Sequence, residues 1–358
     1  MSRHSRVRAV WPGAVAAVTA EAARRVLAPR APALNPVRVD VGAYFSADEI
    51  ARGRRYARPQ LALGLARSLV DAAALVSLVR RPPAPLRRPW RSPAAGGAAT
   101  AAGLSLALSL PTLPLRAVSR RRSMAVGLDT QSWGAWAADV VKASAIQTVF
   151  AGGAGAAVIA GTRRFPRQWW APMGAGAVVF GAGLAALAPV VLDPIFNDFT
   201  PLPDGELRSD VLGLARDAGV TVGEVFSVDA SRRTTAANAY VTGLGPTKRV
   251  VLFDTLLDRY AREEIRLVVA HELAHVRHRD VRRGLAYAAV VAPATALAVQ
   301  RLSWELTPER GTPATLPALA LAAMLITGPI GMIGNRLSRA MERRADHFAL
   351  ELAGAPDA

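Results

Sequence analysis

Cysteine is absent from this sequence, and lysine occurs only at positions 142 and 248. The absence of cysteine excludes disulfide bonds and all thiol chemistry. Aromatic residues are sparse at 6%, and no polar module presents a basic face with interleaved aromatics. The formal net charge of +17 therefore does not indicate a nucleic-acid partner. Histidine is also scarce, yet two of the five histidines lie in one short motif.

That motif, HELAH, is followed downstream by an ExxxD pattern that begins at Glu342. Helical residues four positions apart share a face, so His271 and His275 can bind one metal ion with Glu272 beside them. A catalytic zinc site takes three protein ligands and leaves one position for water. The two histidines therefore need one more protein ligand, and Glu342 is the candidate.

The same segment also fits an ordinary amphipathic helix. Its buried face would hold Ile265, Val268, Val269, Leu273 and Val276. Against this, His271 and His275 lie on the stripe that contains Val268, so they face packed surface rather than water. His278 continues that stripe, and we interpret it as a surface or capping histidine in preference to a substrate or metal contact.

Long apolar segments dominate the rest of the chain, of which 51% is hydrophobic. Four segments run 20 or more residues without a charge and the last runs 17: Ser92–Leu115, Ala143–Thr162, Gln168–Leu192, Thr312–Asn335 and Gly284–Gln300. Since about 20 helical residues cross the hydrocarbon core of a bilayer, these segments predict five membrane spans. Leu61–Val79 and Val10–Ala28 are weaker candidates because charged residues interrupt them. The latter also fits a signal peptide, but Glu21 and Arg24 stand where a clean cleavage site is needed, which favours a retained first span.

The positive charge is concentrated beside the apolar segments. Residues 193–283 carry 13 Lys/Arg and 14 Asp/Glu and are nearly neutral, so the excess lies on the membrane segments and their loops. Arginine clusters at positions 80–91 and 116–122 can attract anionic lipid headgroups. The abundance of arginine, alanine, glycine and proline reflects genome composition and favours a bacterial source.

Residues 193–283 form the one sizeable polar segment. Their pattern predicts a helix that ends near Gly219, three short strands, and a helix at about Arg262–His278 that carries the histidines. The strands are Val225–Asp229, Asn238–Thr242 and Arg249–Phe253, and a turn at 243–246 joins the last two as a hairpin. An edge strand beside a zinc helix can pair with an extended peptide, although the hairpin could instead serve packing alone.

Topology provides a separate test of the metal site. Two apolar segments, Gly284–Gln300 and Thr312–Asn335, lie between His275 and Glu342. An even number of crossings returns the chain to the side of the membrane that it left, so Glu342 can reach the histidines. A single crossing would have forbidden the site.

Several runs of the sequence resemble type I CaaX prenyl proteases in content and in order. They are Gly127–Lys142, Asp193–Pro203, Ser231–Tyr240, Arg249–Leu257, the HELAH motif, and Asn335–Arg339 leading into Glu342 and Asp346. The resemblance extends over most of residues 45–355. It implies a mainly α-helical polytopic membrane protein in which about seven transmembrane helices form an α-barrel around a chamber. A small α+β zinc metalloprotease domain would lie at the cytoplasmic end.

The resemblance also assigns roles by position. Three residues match the ligands of one zinc ion per chain and a fourth matches the general base: His271, His275, Glu342 and Glu272. Asp346 matches a carboxylate that orients a ligand histidine. Asn238 and Ala239 match the substrate-binding edge strand.

We expect four parts along the chain. They are an N-terminal membrane domain with about five spans at 1–192, the metalloprotease domain at 193–283, a transmembrane hairpin at 284–335 and the third-ligand helix at 336–358. The family pattern continues to a later histidine and arginine that stabilise the transition state, and this sequence ends at Ala358 before either one.

The expected function is that of a zinc-dependent endopeptidase of the bacterial plasma membrane, acting on peptide or protein substrates, with Glu272 taking the proton from water. A general membrane quality-control protease is the alternative enzyme. A noncatalytic membrane scaffold or transporter with a degenerate site is the alternative of another class. No residue specifies the native substrate, a lipid group on it, or the oligomeric state.

Overall fold

The computed structural model of the chain describes residues 3–30, 40–87, 89–243 and 248–354. The predicted turn at 243–246 therefore lies mostly outside the described residues. In chain order the elements are α1 (Arg3–Leu27), α2 (Ala47–Arg80), α3 (Ala84–Arg87), α4 (Pro93–Ala125), α5 (Trp133–Arg164), α6 (Trp170–Val191), α7 (Asp193–Phe196), β1 (Phe199–Pro201), α8 (Glu206–Asp217), β2 (Glu224–Val228), β3 (Ala239–Thr242), β4 (Arg249–Phe253), α9 (Asp254–Arg259), α10 (Arg262–Arg277), α11 (Asp280–Leu306) and α12 (Leu316–Ala353).

Six helices in the described part of the chain are long and apolar enough to cross a membrane, namely α2, α4, α5, α6, α11 and α12. The hydroxyls of Ser46, Ser92 and Ser132 cap the N-termini of α2, α4 and α5 by accepting backbone N–H groups of the first turn. Leu61–Val79, a weak candidate by sequence, lies within α2. Val10–Ala28 coincides mostly with α1, which packs against α11 and α12 but is not among the six.

The six spanning helices form a closed ring. Each helix packs against the next in the order α2, α4, α5, α6, α11 and α12, and α12 packs against α2 to close the ring. Phe150 and Phe180, with ring centroids 5.5 Å apart, bridge α5 and α6. In each of α2, α4 and α6, only 6% of the most apolar 18-residue stretch is buried. The wall of the ring is therefore one helix thick at these helices. The ring therefore encloses open space rather than a packed core.

Tryptophans mark the two ends of the spans. Trp90, Trp169, Trp170 and Trp304 lie at one end of the ring, and Trp133 and Trp136 lie at the other, where α5 begins. Tryptophan favours the membrane–water interface because its ring is apolar and its N–H needs a polar partner. The two groups therefore place the boundaries of the apolar layer near the helix ends.

A four-stranded sheet in the order β1-β2-β4-β3 forms the polar part of the molecule. β2 and β4 are parallel, whereas β1 pairs with β2 and β3 with β4 in antiparallel fashion. Apolar side chains of the strands form a core with α8 and α10, and its fully buried members include Val211, Val225, Val250, Leu252 and Val269. The predicted hairpin is thus present, and β3 is an edge strand. The sequence did not reveal β1, which has only three residues and ends in proline.

Three of the runs that resemble the protease family meet where the ring joins the sheet. Arg233 Nε donates a 3.0 Å hydrogen bond to Asp139 Oδ2 on α5, and Arg233 Nη1 donates one of 3.0 Å to Asn197 Oδ1. Gln131 Nε2 donates to the same carboxylate oxygen of Asp139 at 2.6 Å. These bonds fix the sheet on the ring.

The last spanning helix also carries Glu342, the residue expected to be the third ligand. α12 runs unbroken for 38 residues, roughly 57 Å, which is nearly twice the thickness of the hydrocarbon core. No break separates 335 from 336, so the hairpin and ligand helix expected as separate parts are continuous. α12 therefore connects the far end of the ring to Glu342.

Candidate metal and catalytic site

α10 carries the two histidines, and its apolar stripe decides which way they face. Ile265, Val269 and Leu273 recur every four residues and are buried against the sheet and α8. The carboxylate of Glu264 accepts the backbone N–H of Ala261 at 2.7 Å and so supports the start of the helix. With this stripe fixed in the core, the histidines face α12, which packs along α10.

Three potential metal ligands converge between α10 and α12. The Nε2 atoms of His271 and His275 lie 3.2 Å apart. Glu342 Oε2 lies 3.3 Å from the first and 3.5 Å from the second. Ligands placed 2.0–2.2 Å from a tetrahedral zinc ion are separated by roughly 3.3–3.6 Å. The three donor atoms therefore have the spacing of one face of such a tetrahedron.

Each histidine is held through its other ring nitrogen by an aspartate. His271 Nδ1 lies 3.0 Å from Asp346 Oδ1, and His275 Nδ1 lies 3.0 Å from Asp280 Oδ2. A proton on Nδ1 shared with a carboxylate leaves the Nε2 lone pair free for a metal. The structure thus places Asp346, the residue matched by the resemblance, beside His271, and it places Asp280 beside His275.

Asp280 was missed by the sequence reasoning. It is the first residue of α11, it is buried, and its second oxygen accepts a hydrogen bond from Arg344 on α12. Arg283 Nη1 lies 3.7 Å from the same oxygen. A buried carboxylate needs such partners because desolvation of an unpaired charge is costly. The pair Asp280–Arg344 therefore ties the ligand helix α12 to the start of α11.

Glu272 follows His271 directly on α10. Burial raises the pKa of its carboxyl group, while His271 and His275 oppose this shift. The hydrogen bond to Asp280 raises the pKa of His275. Glu272 is thus a partly desolvated carboxyl group within the site, the condition under which a glutamate can exchange a proton during a reaction.

A cavity of about 690 Å³ opens next to Glu272 and His275. Its remaining walls come from the inner side of α6, the end of β3 with the residue that follows, and the first turns of α11. They include Ala182, Ala185, Ala186, Val241, Thr242, Gly243 and Leu285. Asn238 is exposed just before β3, and Ala239 is buried at its start. The cavity therefore meets the edge strand at its later residues, which the sequence reasoning did not single out.

His278 is not part of the donor cluster. It is the C-cap residue of α10, and its ring packs edge-on against Phe348 of α12 with the centroids 5.3 Å apart. The capping interpretation made from the sequence thus agrees with its place in the fold.

Comparisons with known proteins match nearly the whole chain. Residues 201–358 match peptidase family M48. Residues 35–198 match the family named CAAX prenyl protease N-terminal, five membrane helices. The uncharacterized metalloprotease YhfN of Bacillus subtilis (strain 168) is 33% identical over 258 residues, which are 70% of this chain and 61% of that protein. CAAX prenyl protease 1 of Saccharomyces cerevisiae is 47% identical over 90 residues, which are 25% of this chain and 20% of that protein. The chain thus spans less than two thirds of either relative.

A solved structure has the same fold. The crystal structure of S. mikatae Ste24p superimposes with a TM-score of 0.73 and 22% identity, covering 97% of this chain and 87% of that one. The expected fold class, a mainly α-helical polytopic membrane protein with a small α+β domain, is confirmed. Since the two family matches follow one another along the chain in the order of its motifs, the protein is an integral membrane member of peptidase family M48, of the type I CaaX prenyl protease kind.

Proposed function

We propose that this protein is a zinc-dependent endopeptidase that hydrolyses peptide bonds at the membrane. The observation that carries the proposal is the convergence of His271, His275 and Glu342 with Glu272 beside them. The donor atoms come from two helices that are far apart in sequence, and all lie within 4.8 Å of one another. An amphipathic helix that only packs does not require this arrangement, whereas a bound metal ion does.

Zinc fits the donor set. Two imidazole nitrogens and one carboxylate oxygen form a common ligand set of hydrolytic zinc sites, which keep a further position for water or substrate. His271, His275 and Glu342 would hold one ion per chain. A bound zinc ion supplies Lewis acidity, polarising the scissile carbonyl and lowering the pKa of a water molecule.

Glu272 would serve as the general base. It would accept a proton from the attacking water and pass it to the leaving amine. Its raised pKa suits both steps, because a carboxyl group that is too acidic would not retain the proton long enough to deliver it. Asp346 and Asp280 would keep the two imidazoles in one tautomer and orientation throughout.

The substrate would bind as an extended strand along β3. This edge strand lies against α10, and Val241, Thr242 and Gly243 border the cavity that contains Glu272. A peptide that pairs with the open edge of β3 would be carried past the donors, with Asn238 and Ala239 as the first pairing positions. The alanines of α6 give the opposite wall little side-chain bulk, so the cavity can admit an extended peptide.

Comparison of membranes that contain wild-type protein with membranes that contain Glu272→Gln would reveal the native substrates. We expect intact substrates to accumulate in the variant, as seen by quantitative proteomics of protein termini. A few proteins with uncut termini would indicate a processing protease, whereas many damaged membrane proteins would indicate quality control. Identical proteomes in the two strains would argue for a noncatalytic scaffold.

We further propose that the metal site faces the cytoplasm of a bacterium. Charge counts in the short loops are nearly equal on the two sides, so the positive-inside rule does not decide the orientation. Support comes from the resemblance to CaaX proteases and from four arginines that follow the last apolar segment: Arg336, Arg339, Arg343 and Arg344.

A cysteine-free chain allows a direct test of this orientation. Ser209 is exposed on α8, and Glu309 is exposed at the opposite end of the spans. In intact cells, a membrane-impermeant maleimide should label Glu309→Cys but should label Ser209→Cys only after permeabilisation. The reverse pattern would place the catalytic segment outside.

A further inference from the structure

A second cavity, of about 380 Å³, lies at the end of the ring opposite the metal site. It is formed where α5 and α11 end and α6 and α12 begin. Ser303, which borders it, lies 23 residues beyond Asp280, and this corresponds to roughly 35 Å along α11. The cavity is therefore separated from the metal site by about one membrane thickness.

Hydrogen bonds within the protein hold the walls of this cavity in place. The buried Gln300 of α11 donates a 3.0 Å hydrogen bond to the carbonyl of Arg167, and its Oε1 accepts the N–H of Trp170 at 3.2 Å. These bonds pin the α5–α6 connection to α11. The cavity is thus a built feature rather than a gap between mobile loops.

Positive charge lines the cavity without compensation. Arg163, Arg167 and Arg310 border it, and no carboxylate does so among the described residues. Glu309, the neighbour of Arg310, lies near Thr312, whose hydroxyl donates to it at 3.3 Å. One guanidinium group can donate two parallel hydrogen bonds to two oxygens of a phosphate. Three arginines around one cavity therefore favour a phosphorylated ligand.

Two further observations point to the same ligand class. Thr315 borders the cavity with only 4% of its surface exposed, and its hydroxyl has no hydrogen-bond partner in the described structure. A phosphate oxygen could accept a hydrogen bond from this hydroxyl. Trp169 and Trp304 also line the cavity, and the guanidinium of Arg310 stacks 4.6 Å from the Trp304 ring. Tryptophan with arginine at the ends of membrane spans is typical of the headgroup layer.

We propose that this cavity binds the phosphodiester headgroup of an anionic phospholipid. The lipid is favoured over a soluble phosphate because the arginines lie at the ends of four spans, where headgroups are concentrated. Leu319, in the first turn of α12, forms an apolar wall on the side of the cavity nearer the hydrocarbon layer, where the acyl chains would lie.

Native mass spectrometry of the detergent-purified full chain tests this site. The probes are phosphatidylglycerol, zwitterionic phosphatidylcholine, and inorganic phosphate. We expect one retained phosphatidylglycerol per chain at concentrations where phosphatidylcholine is not retained. The double variant Arg163→Gln/Arg310→Gln should weaken retention roughly tenfold or more, since each arginine near an anionic headgroup contributes about a kcal/mol.

The matched control is Arg81→Gln/Arg91→Gln, which removes two exposed charges from the same membrane end outside this cavity. It should retain phosphatidylglycerol like the wild type. Arg163 and Arg310 are exposed, and Arg310→Gln alone provides the same test if the double variant does not purify. Equal loss in the cavity and control variants, or equal retention of the two lipids, would overturn the proposal. Displacement of the lipid by inorganic phosphate at matched concentration would assign the site to a soluble phosphate instead.

Discussion

The two aspartates that hold the histidines differ in their exposure to water. Asp280 is 6% exposed, and Arg344 occupies its second oxygen, whereas Asp346 is 62% exposed. Water can replace an exposed carboxylate as the partner of an imidazole Nδ1, but it has no access to the buried one. The orientation of His275 should therefore depend on its aspartate more than that of His271 does.

Asp280→Asn should weaken zinc binding about 10- to 100-fold, the usual effect of losing a carboxylate behind a ligand histidine. Asp346→Asn should weaken it less. Competition with a fluorescent chelator measures both affinities. Asp280→Asn should also lower the unfolding temperature, because the buried guanidinium of Arg344 would lose the negative charge that compensates it. A larger loss of affinity in Asp346→Asn would contradict this ranking.

At the scale of elements, α4 and α5 cross in close contact through their glycines. A methyl group at Gly155 would lie 2.5 Å from the carbonyl oxygen of Gly97 and in hard contact with the Ala101 side chain. Small residues allow helices to approach this closely within a membrane, where packing rather than the hydrophobic effect drives association. The α4–α5 pair therefore depends on its glycines.

Gly155→Ala should destabilise the protein by about 1–3 kcal/mol, as overpacking of a tight interface does. Gly153→Ala is the matched control on the same helix, since no described atom outside its own helix backbone lies within 4 Å of the added methyl group. Thermal unfolding in detergent should show a lower midpoint for the first variant and an unchanged or higher one for the second, because alanine favours the helix. Equal unfolding midpoints for the two variants would show that α4 and α5 can move apart without loss of stability.

The cavity beside Glu272 also admits a test at the scale of elements. Ala185 lies on its α6 wall, whereas Val179 is exposed on the same helix outside it. Ala185→Trp should fill the space across from β3 and lower the kcat/KM of peptide hydrolysis at least about tenfold, with zinc content unchanged. Val179→Trp should behave like the wild type. Equal activity of the two variants would show that α6 does not border the bound substrate.

At the scale of the whole molecule, the sequence predicted the residues that follow a regular period or a topological rule. His271 and His275 could be paired because helical residues four apart share a face. Glu342 was proposed from the ExxxD pattern, and the even number of spans between it and His275 allowed the two to meet. Asp280 could not be found this way, since five residues after His275 a continuous helix would point it elsewhere.

The structure explains how Asp280 returns to His275. α10 ends at Arg277, and Arg279 adopts the left-handed conformation with φ 58°. This is an uncommon backbone state for a residue other than glycine, and it redirects the chain before α11 begins. A reversal of this kind leaves no periodic signal in the sequence. The three-residue strand β1 escaped prediction for a similar reason, since it is too short to show alternation.

A bound metal ion would join α10 to α12. Its ligands would come from α10, in the polar domain, and from α12, a helix that begins at the far end of the ring. Glu272 and Glu342 therefore make different contributions. Glu342 would hold the ion between the two helices, whereas Glu272 would only move a proton. Substitution of these two glutamates separates metal binding from chemistry.

The rate of peptide hydrolysis per bound zinc, in Glu272→Gln and wild type purified side by side, tests the central claim most directly. A library of quenched fluorescent peptides gives the rate, and elemental analysis gives the zinc content. We predict about one zinc per chain in both proteins, with the rate of the variant lower by about 100-fold or more. Glu342→Gln, as the control, should lose the zinc itself. A Glu272→Gln protein that hydrolyses peptides at the wild-type rate per zinc would contradict the account.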